Sequence, residues 1–354
     1  METQKYISYA TYREITQQIA PWLAVIDEIQ RQRENILQVW NSVNPVETLY
    51  TGCGSTFYLA RTAAMIHRGV IGTLAEAYPA SELLFFPDTV MPERQPYRLV
   101  AISRSGTTTE TTRAVERFQK HQNSPVLAVS VYGDSTLVKQ AQAAVVAAEA
   151  HEESVAQTRS FSSMLVAVEA MLHMVGDRFD QSLFKELAPV GDQLMHDHAA
   201  LALDLGATDA VQRYFFLGSG PLYGIANEAM LKMKEMTLSY SEAYHSLEFR
   251  HGPMSMVDNQ TLVIGLLSDT SFDNELAVLQ DMRALGAKIL TISPRDVPQG
   301  KADYVVRLPD GFSDFVRPVL YLPVLQLMAF FRSLHKGLNP DRPANLTAVV
   351  NLDL

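Results

Sequence analysis

The sequence predicts an α/β chain with parallel sheets and an internal duplication, on three observations. Short apolar runs of strand length alternate with helix-forming segments along most of the 354 residues, which is the pattern of a parallel sheet covered on both faces. Gly52-Cys53-Gly54 and Gly218-Ser219-Gly220 each follow such a run and open a helical segment, so the scheme restarts in the second half. Between them, Arg98 to Thr112, RLVAISRSGTTTETT, is a strand that empties into a hydroxyl-rich turn and then a helix.

In chain order, Ile7 to Val43 reads as a helical lead-in, with Ile15, Ile19, Trp22, Leu23, Ile26, Ile29 and Ile36 spaced by about three and four. A strand over Val46 to Thr51 precedes the Gly52 turn and a helix to about Arg68. Glu76 to Phe86 leads through a Pro-punctuated loop to the strand at Leu99. A helix from Thr108, a strand over Val126 to Val131, a helix from Ser135 to Gln142 and the apolar run Ala143 to Ala148 follow. His151 to Phe161, HEESVAQTRSF, breaks the pattern with two carboxylates and opens a helix whose Phe161, Met164, Leu165, Val168, Met171, Leu172 and Val175 have core spacing. Asp177 to Thr208 is helical and weakly distinctive, and the domain linker is placed there. The second half supplies strands at Tyr214–Leu217, Leu262–Leu267, Ile289–Ser293 and Tyr304–Leu308, and ends in a helix over Val319–Leu334 and a polar tail. The expected division is a lead-in over 1–45, domains over 46–190 and 191–340, and a tail over 341–354 that closes over the site.

Composition excludes several classes. With 47% hydrophobic and 19% charged residues the chain is globular, and its net charge of −10 argues against general nucleic-acid binding, which rewards clustered Lys and Arg. The single cysteine, Cys53, permits no internal disulfide and fits a reducing compartment. No apolar run reaches the roughly 18 residues of a membrane span and the N-terminus has no signal-peptide pattern. A cytoplasmic location is expected.

The turn after Ile102 is the first candidate site. Backbone N–H groups at a helix N-terminus lack partners within the helix and carry partial positive charge, so an oxyanion is stabilised there. Ser103, Ser105, Thr107, Thr108 and Thr109 add hydroxyls more densely than a cap requires. Two readings stand, a Ser/Thr-rich N-cap and a phosphate cradle. Lys232 and Glu235 lie three apart on one helix face, a spacing that usually makes an exposed ion pair. His251, before Gly252-Pro253, reads on its own more often as a loop histidine than as a catalyst.

Taken together, five motifs in order resemble the tandem sugar isomerase (SIS) domain family, which includes the isomerase half of glucosamine-6-phosphate synthase, amino-sugar-phosphate deaminases and ketose/aldose isomerases. They are Cys53-Gly54-Ser55-Thr56, Ile102 to Thr108, Glu152 to Thr158, Lys232-Met233-Lys234-Glu235 and Glu248 to Pro253. The resemblance implies two flavodoxin-like three-layer domains. It also implies that Ser103, Arg104, Ser105 and Thr108 hold a phosphate, with Ser55 and Thr56 alongside. Val155, Ala156 and Gln157 would line the sugar. Glu235 would move a proton between C1 and C2, Lys232 would offset charge on the sugar oxygens, and His251, donated by the partner of a homodimer with shared active sites, would assist ring opening. No cofactor or metal is expected, and the partner is a small sugar phosphate.

Two departures narrow this reading. The chain begins Met1-Glu2 without the glutamine-hydrolysing domain whose nucleophile is a terminal cysteine, so it is expected not to draw ammonia from glutamine itself. The tail Asp341-Arg342-Pro343-Ala344-Asn345-Leu346 matches the family, yet Ala348 stands where the synthase has an imine-forming lysine. The expected activity is therefore isomerisation or deamination of a hexose or hexosamine 6-phosphate. A fructosamine-6-phosphate deglycase and a non-catalytic sugar-phosphate sensor are the alternatives.

Overall fold

The computed structural model describes residues 5–92, 95–122, 124–350 and 352. Met1 to Gln4 of the expected lead-in, and Asn351, Asp353 and Leu354 of the expected tail, lie outside the described residues. The chain forms two compact units. The N-terminal unit comprises Gln17–Glu152, Gln157–Ala188 and Thr347–Leu354, and the C-terminal unit Met1–Thr16, Glu153–Ala156 and Pro189–Leu346.

The N-terminal unit begins with α2 (Ile19–Arg31) and α3 (Arg33–Asn41), while the preceding α1 (Ala10–Thr16) belongs to the C-terminal unit. Its strands are β1 (Glu47–Gly52), β2 (Ala75–Pro79), β3 (Tyr97–Ser103), β4 (Val126–Ser130) and β5 (Ala143–Val146). They form one parallel sheet in the order β2-β1-β3-β4-β5. Helices α4 (Ser55–Val70), α5 (Ala80–Phe85), α6 (Pro87–Val90), α7 (Thr109–His121), α8 (Thr136–Gln140) and α9 (Arg159–Val175) connect and cover it. Every residue of β3 and β4 is buried, because a central parallel strand is covered on both faces and so reads as a continuous apolar run. Leu49, Leu99, Ala101, Val126 and Ala128 pack with Ala114, Val115 and Phe118 of α7 and with Leu137 of α8.

The C-terminal unit repeats the plan. After α10 (Gln181–Gly206), strands β6 (Arg213–Gly218), β7 (Tyr240–His245), β8 (Thr261–Leu266), β9 (Lys288–Ser293) and β10 (Tyr304–Arg307) form a parallel sheet in the order β10-β9-β8-β6-β7. Helices α11 (Leu222–Thr237), α12 (Phe272–Ala284) and α13 (Leu322–His335) complete it. Phe215, Leu217, Val263 and Ile289 pack with Leu276, Leu279 and Met282 of α12. No helix among the described residues is long and apolar enough to cross a membrane.

The fold is thus two three-layer α/β units, as the alternation of elements implies. Two strands that the sequence reading passes over, β2 and β7, occupy the same edge of the two sheets. Each buries only one residue, Ala75 and Ser241 respectively, so neither carries an apolar run to be read. The segment placed as a linker is a 26-residue helix with Pro189 inside it, and the two units divide at that proline.

The duplicated glycines have a steric cause. A Cβ on Gly52 would lie 2.6 Å from the carbonyl carbon of Thr56, and one on Gly218 would lie 2.4 Å from the carbonyl oxygen of Leu222. The strand end therefore runs against the first turn of the following helix, and only glycine fits. Gly54, by contrast, has open space around it and a φ of 56°. Gly52→Ala and Gly218→Ala should each cost about 1–3 kcal/mol through overpacking against backbone, read by urea unfolding. A neutral Gly218→Ala would mean that the turn relaxes freely.

Candidate active site

In the N-terminal unit, β3 ends at Ser103 and α7 starts at Thr109, with Gly106 at a φ of 62° between them. The loop folds its hydroxyls together: Ser103 Oγ is 3.4 Å and Ser105 Oγ 3.5 Å from Thr108 Oγ1. The amides of Gly106 and Thr107 donate to Ser103 Oγ (3.1 Å) and Ser105 Oγ (3.2 Å). Those are neutral acceptors, which an anion bound at the helix N-terminus would outcompete for charge-assisted hydrogen bonds. Gly106 is irreplaceable here, since a Cβ would lie 2.1 Å from Ser135 Oγ. Ser55 and Thr56 are buried. The Thr56 hydroxyl accepts from Cys53 N and donates to Cys53 O, both at 3.0 Å, and so closes the Gly52 turn.

Arg104 has a different position from its serine neighbours. Its side chain is 9% exposed and salt-bridged to Glu152 at 3.4 Å, and Nη2 donates to the carbonyl of Ala348 at 3.0 Å. Glu152, whose side chain is fully buried, also accepts from Thr158 N (2.7 Å), Thr158 Oγ1 (3.0 Å), Ser160 N (3.0 Å) and the Ser160 hydroxyl. It therefore fixes the start of α9 and the Ser103–Thr108 loop together. The tail rests on the same loop, where Leu352 N donates to Thr109 Oγ1 at 3.1 Å. Gln157 follows Glu152, and its buried Oε1 has no hydrogen-bond partner among the described residues.

In the C-terminal unit, Lys232 and Glu235 sit on α11, and the pair is not the exposed one that its spacing usually makes. Lys232 is 2% exposed, with Nζ 2.6 Å from Glu235 Oε2 and 3.4 Å from Glu228 Oε1. Glu228 is itself 1% exposed. One ammonium thus joins two carboxylates, and Glu235, at 20% side-chain exposure, is the more open of them. The sequence reading missed Glu228, although its i,i+4 spacing to Lys232 was available as a signal. Val155 and Ala156 lie on the segment Glu153–Ala156, held through Val155 N to Asp341 O (3.1 Å) and through Ser154 to the Glu14 carboxylate. Asp341 in turn accepts from Ala10 N (3.0 Å) and Thr11 N (2.8 Å).

His251 is not brought to this pair. It is exposed on the turn after β7, and no hydrogen bond or ion pair joins it to Lys232 or Glu235 among the described residues. The same turn exposes Leu247 (43%) and Met256 (48%).

Residues 47–174 and 209–330 each match the SIS domain. The chain belongs to the SIS-domain family. Among curated relatives, this SIS protein is 26% identical over 326 residues to a glutamine–fructose-6-phosphate aminotransferase (isomerizing) of Methanothermobacter thermautotrophicus, covering 90% of this chain and 54% of that relative. It is 30% identical over 268 residues to the Francisella tularensis enzyme of the same name, covering 72% and 44%. The chain therefore spans about half the length of the curated relatives it matches. Among solved structures, a glucosamine-6-phosphate deaminase from Thermotoga maritima is 26% identical with a TM-score of 0.77, covering 97% of this chain and all of that one. The tagatose-6-phosphate ketose/aldose isomerase of Escherichia coli shares the fold, with a TM-score of 0.87 at 24% identity and coverage of 98% and 97%.

Breaking one partner of a buried, multiply bonded charge pair typically costs 3–5 kcal/mol. Glu152→Gln should therefore lower stability by about that amount in urea unfolding. A loss within the roughly 0.5 kcal/mol of ordinary surface substitutions would mean that Glu152 is not the tie between α9 and the Ser103–Thr108 loop.

Proposed function

We propose that this SIS protein is a phosphosugar isomerase that moves a carbonyl between C1 and C2 of a hexose or hexosamine 6-phosphate. The observation that carries the reading is the buried Lys232 shared between Glu228 and the more open Glu235. An aldose–ketose isomerase needs a base that takes a proton from one carbon and returns it to the other, and a fixed positive charge beside the enediolate formed in between. Glu235 is the base. When it takes the proton it becomes neutral, which leaves the Lys232 ammonium to face the charge developing on the sugar oxygens while Glu228 continues to hold it. Proton transfer of this kind requires no metal. We assign phosphate binding to the Ser103–Thr108 loop, where hydroxyls and helix N-terminal amides supply donors, and Gln157 to a sugar hydroxyl through its unpartnered Oε1.

Support comes also from the relatives, whose names place isomerisation, amination or deamination on hexose phosphates. Ala348 in the tail favours isomerisation or ammonia release over amination, because an imine with the ketose needs an amine at that place. A deglycase that splits a fructosamine 6-phosphate is the alternative, and it differs in releasing an amine together with the sugar phosphate, since its own chemistry also moves a proton between C1 and C2.

Glu235→Gln keeps the side chain's shape and removes its basicity, so it should bind hexose 6-phosphates while losing turnover roughly a hundredfold or more. By NMR in deuterated water, solvent deuterium should enter C1 or C2 with the wild type and not with the variant. Exchange that persists in Glu235→Gln would reject the assignment.

We further propose that the working form is a homodimer in which His251, exposed and, among the described residues, bonded to neither member of the pair, serves the neighbouring subunit's sugar. Mixing inactive Glu235→Gln with inactive His251→Ala should restore part of the activity, since one hybrid site regains both residues. Absence of complementation after demonstrated subunit exchange would place both residues in one chain's site.

A further inference from the structure

The second repeat carries a loop where the first carries its oxyanion loop. β8 pairs with β6 as β3 pairs with β1, and a 13-residue helix follows in each case. The loop is Leu267-Ser268-Asp269-Thr270-Ser271, again polar and again before a helix N-terminus. Its donors, however, are occupied by carboxylates of the chain itself. Asp314, 8% exposed, accepts from Asp269 N at 3.0 Å through Oδ1, and from Thr270 N at 3.1 Å and Thr270 Oγ1 at 2.9 Å through Oδ2. Glu275, 1% exposed, accepts from Ser268 N at 2.7 Å and from the Ser268 hydroxyl. Arg317, 3% exposed, is salt-bridged to Asp269, and its Nε lies 3.9 Å from Asp314 Oδ1 with no hydrogen-bond partner. The corresponding amides of the first repeat meet only the loop's own serine hydroxyls.

We propose that the second repeat holds a latent oxyanion site whose resident ligand is the Asp314 carboxylate, so that each chain takes one phosphate group, at the first repeat. Two successive amides and a threonine hydroxyl converge on one buried anion from a distant segment, which is the arrangement that binds a free oxyanion at a helix N-terminus. Arg317 Nε is a donor that the planar carboxylate leaves unused and that a further oxygen of a tetrahedral anion would meet. The ligand class is a small oxyanion, whether carboxylate or inorganic phosphate. The latent site stands on its own geometry, while the count of one per chain rests on assigning the phosphate to Ser103–Thr108.

Asp314→Ala removes the resident carboxylate and leaves room for formate. The variant should melt several degrees below the wild type in chloride. Formate or inorganic phosphate at about 50 mM should recover a large part of that loss relative to sodium chloride of equal ionic strength, as binding to the folded state alone requires. Asp314→Asn, whose amide still fills the space, should lose stability without recovery. Calorimetry on the wild type should give one phosphate per chain, abolished by Ser103→Ala with Ser105→Ala. If Asp314→Ala does not fold in chloride, refolding from urea in formate or phosphate decides, with recovery supporting the site. Absence of oxyanion-specific recovery in Asp314→Ala overturns the latent site, as does a second phosphate on the wild type. Phosphate binding that survives the double serine replacement at one per chain would instead remove the Ser103–Thr108 loop from the proposed function, whatever Asp314→Ala shows.

Discussion

The buried carboxylate of Glu152 is the tie on which the Ser103–Thr108 end of the N-terminal unit depends. It gathers the first amides and hydroxyls of α9 and the guanidinium of Arg104, and Arg104 then reaches the tail carbonyl of Ala348. An anion so buried is tolerated only because every direction around it supplies a donor. It also lies at a helix N-terminus, where the aligned peptide dipoles favour negative charge. Loop, helix and tail are thereby held in one arrangement before any ligand arrives, and pre-organisation of this kind is what makes a polar site bind tightly.

The two repeats share a backbone plan and divide the chemistry. Counting from the matched glycines Gly52 and Gly218, the positions of Glu228, Lys232 and Glu235 correspond to Thr62, Ile66 and Gly69 in α4, where no charge is present. The loop after the third strand of each repeat shows the opposite division, with hydroxyls converging in the first repeat and buried carboxylates of the chain in the second. Duplication supplies two equal scaffolds, and a handful of side chains makes their polar ends differ.

Central elements were legible in the sequence because burial on both faces leaves an unbroken apolar run, as in Leu99 to Ile102. The edge strands β2 and β7 were not, since AEAYP and YSEAYH each bury a single residue. The candidate residues were singled out by the order of five family-like motifs more than by their own type and spacing, and their surroundings were not legible at all. Lys232 and Glu235 at i,i+3 look the same on a solvent face as on a buried one, and α11 has Met and Leu on more than one side. The commitment of Arg104 to Glu152 and to a residue more than two hundred positions later is a tertiary fact that no local pattern carries. Asp314 on the Ser268 loop is another.

The discontinuity of the units has a consequence for how the chain is made. The C-terminal unit takes its first helix from the start of the chain and a four-residue segment from the middle, yet the carboxylate that receives the first turn of that helix, Asp341, comes near the end. During synthesis α1 leaves the ribosome more than three hundred residues before its acceptor exists. The N-terminal unit lacks only the segment from Thr347 onward when Ala188 has emerged, so it can condense first. The C-terminal unit can close only after Asp341 has been made, and a cut near Ala188 would leave that unit without Ala10, Tyr12 and Ile15 of its own core.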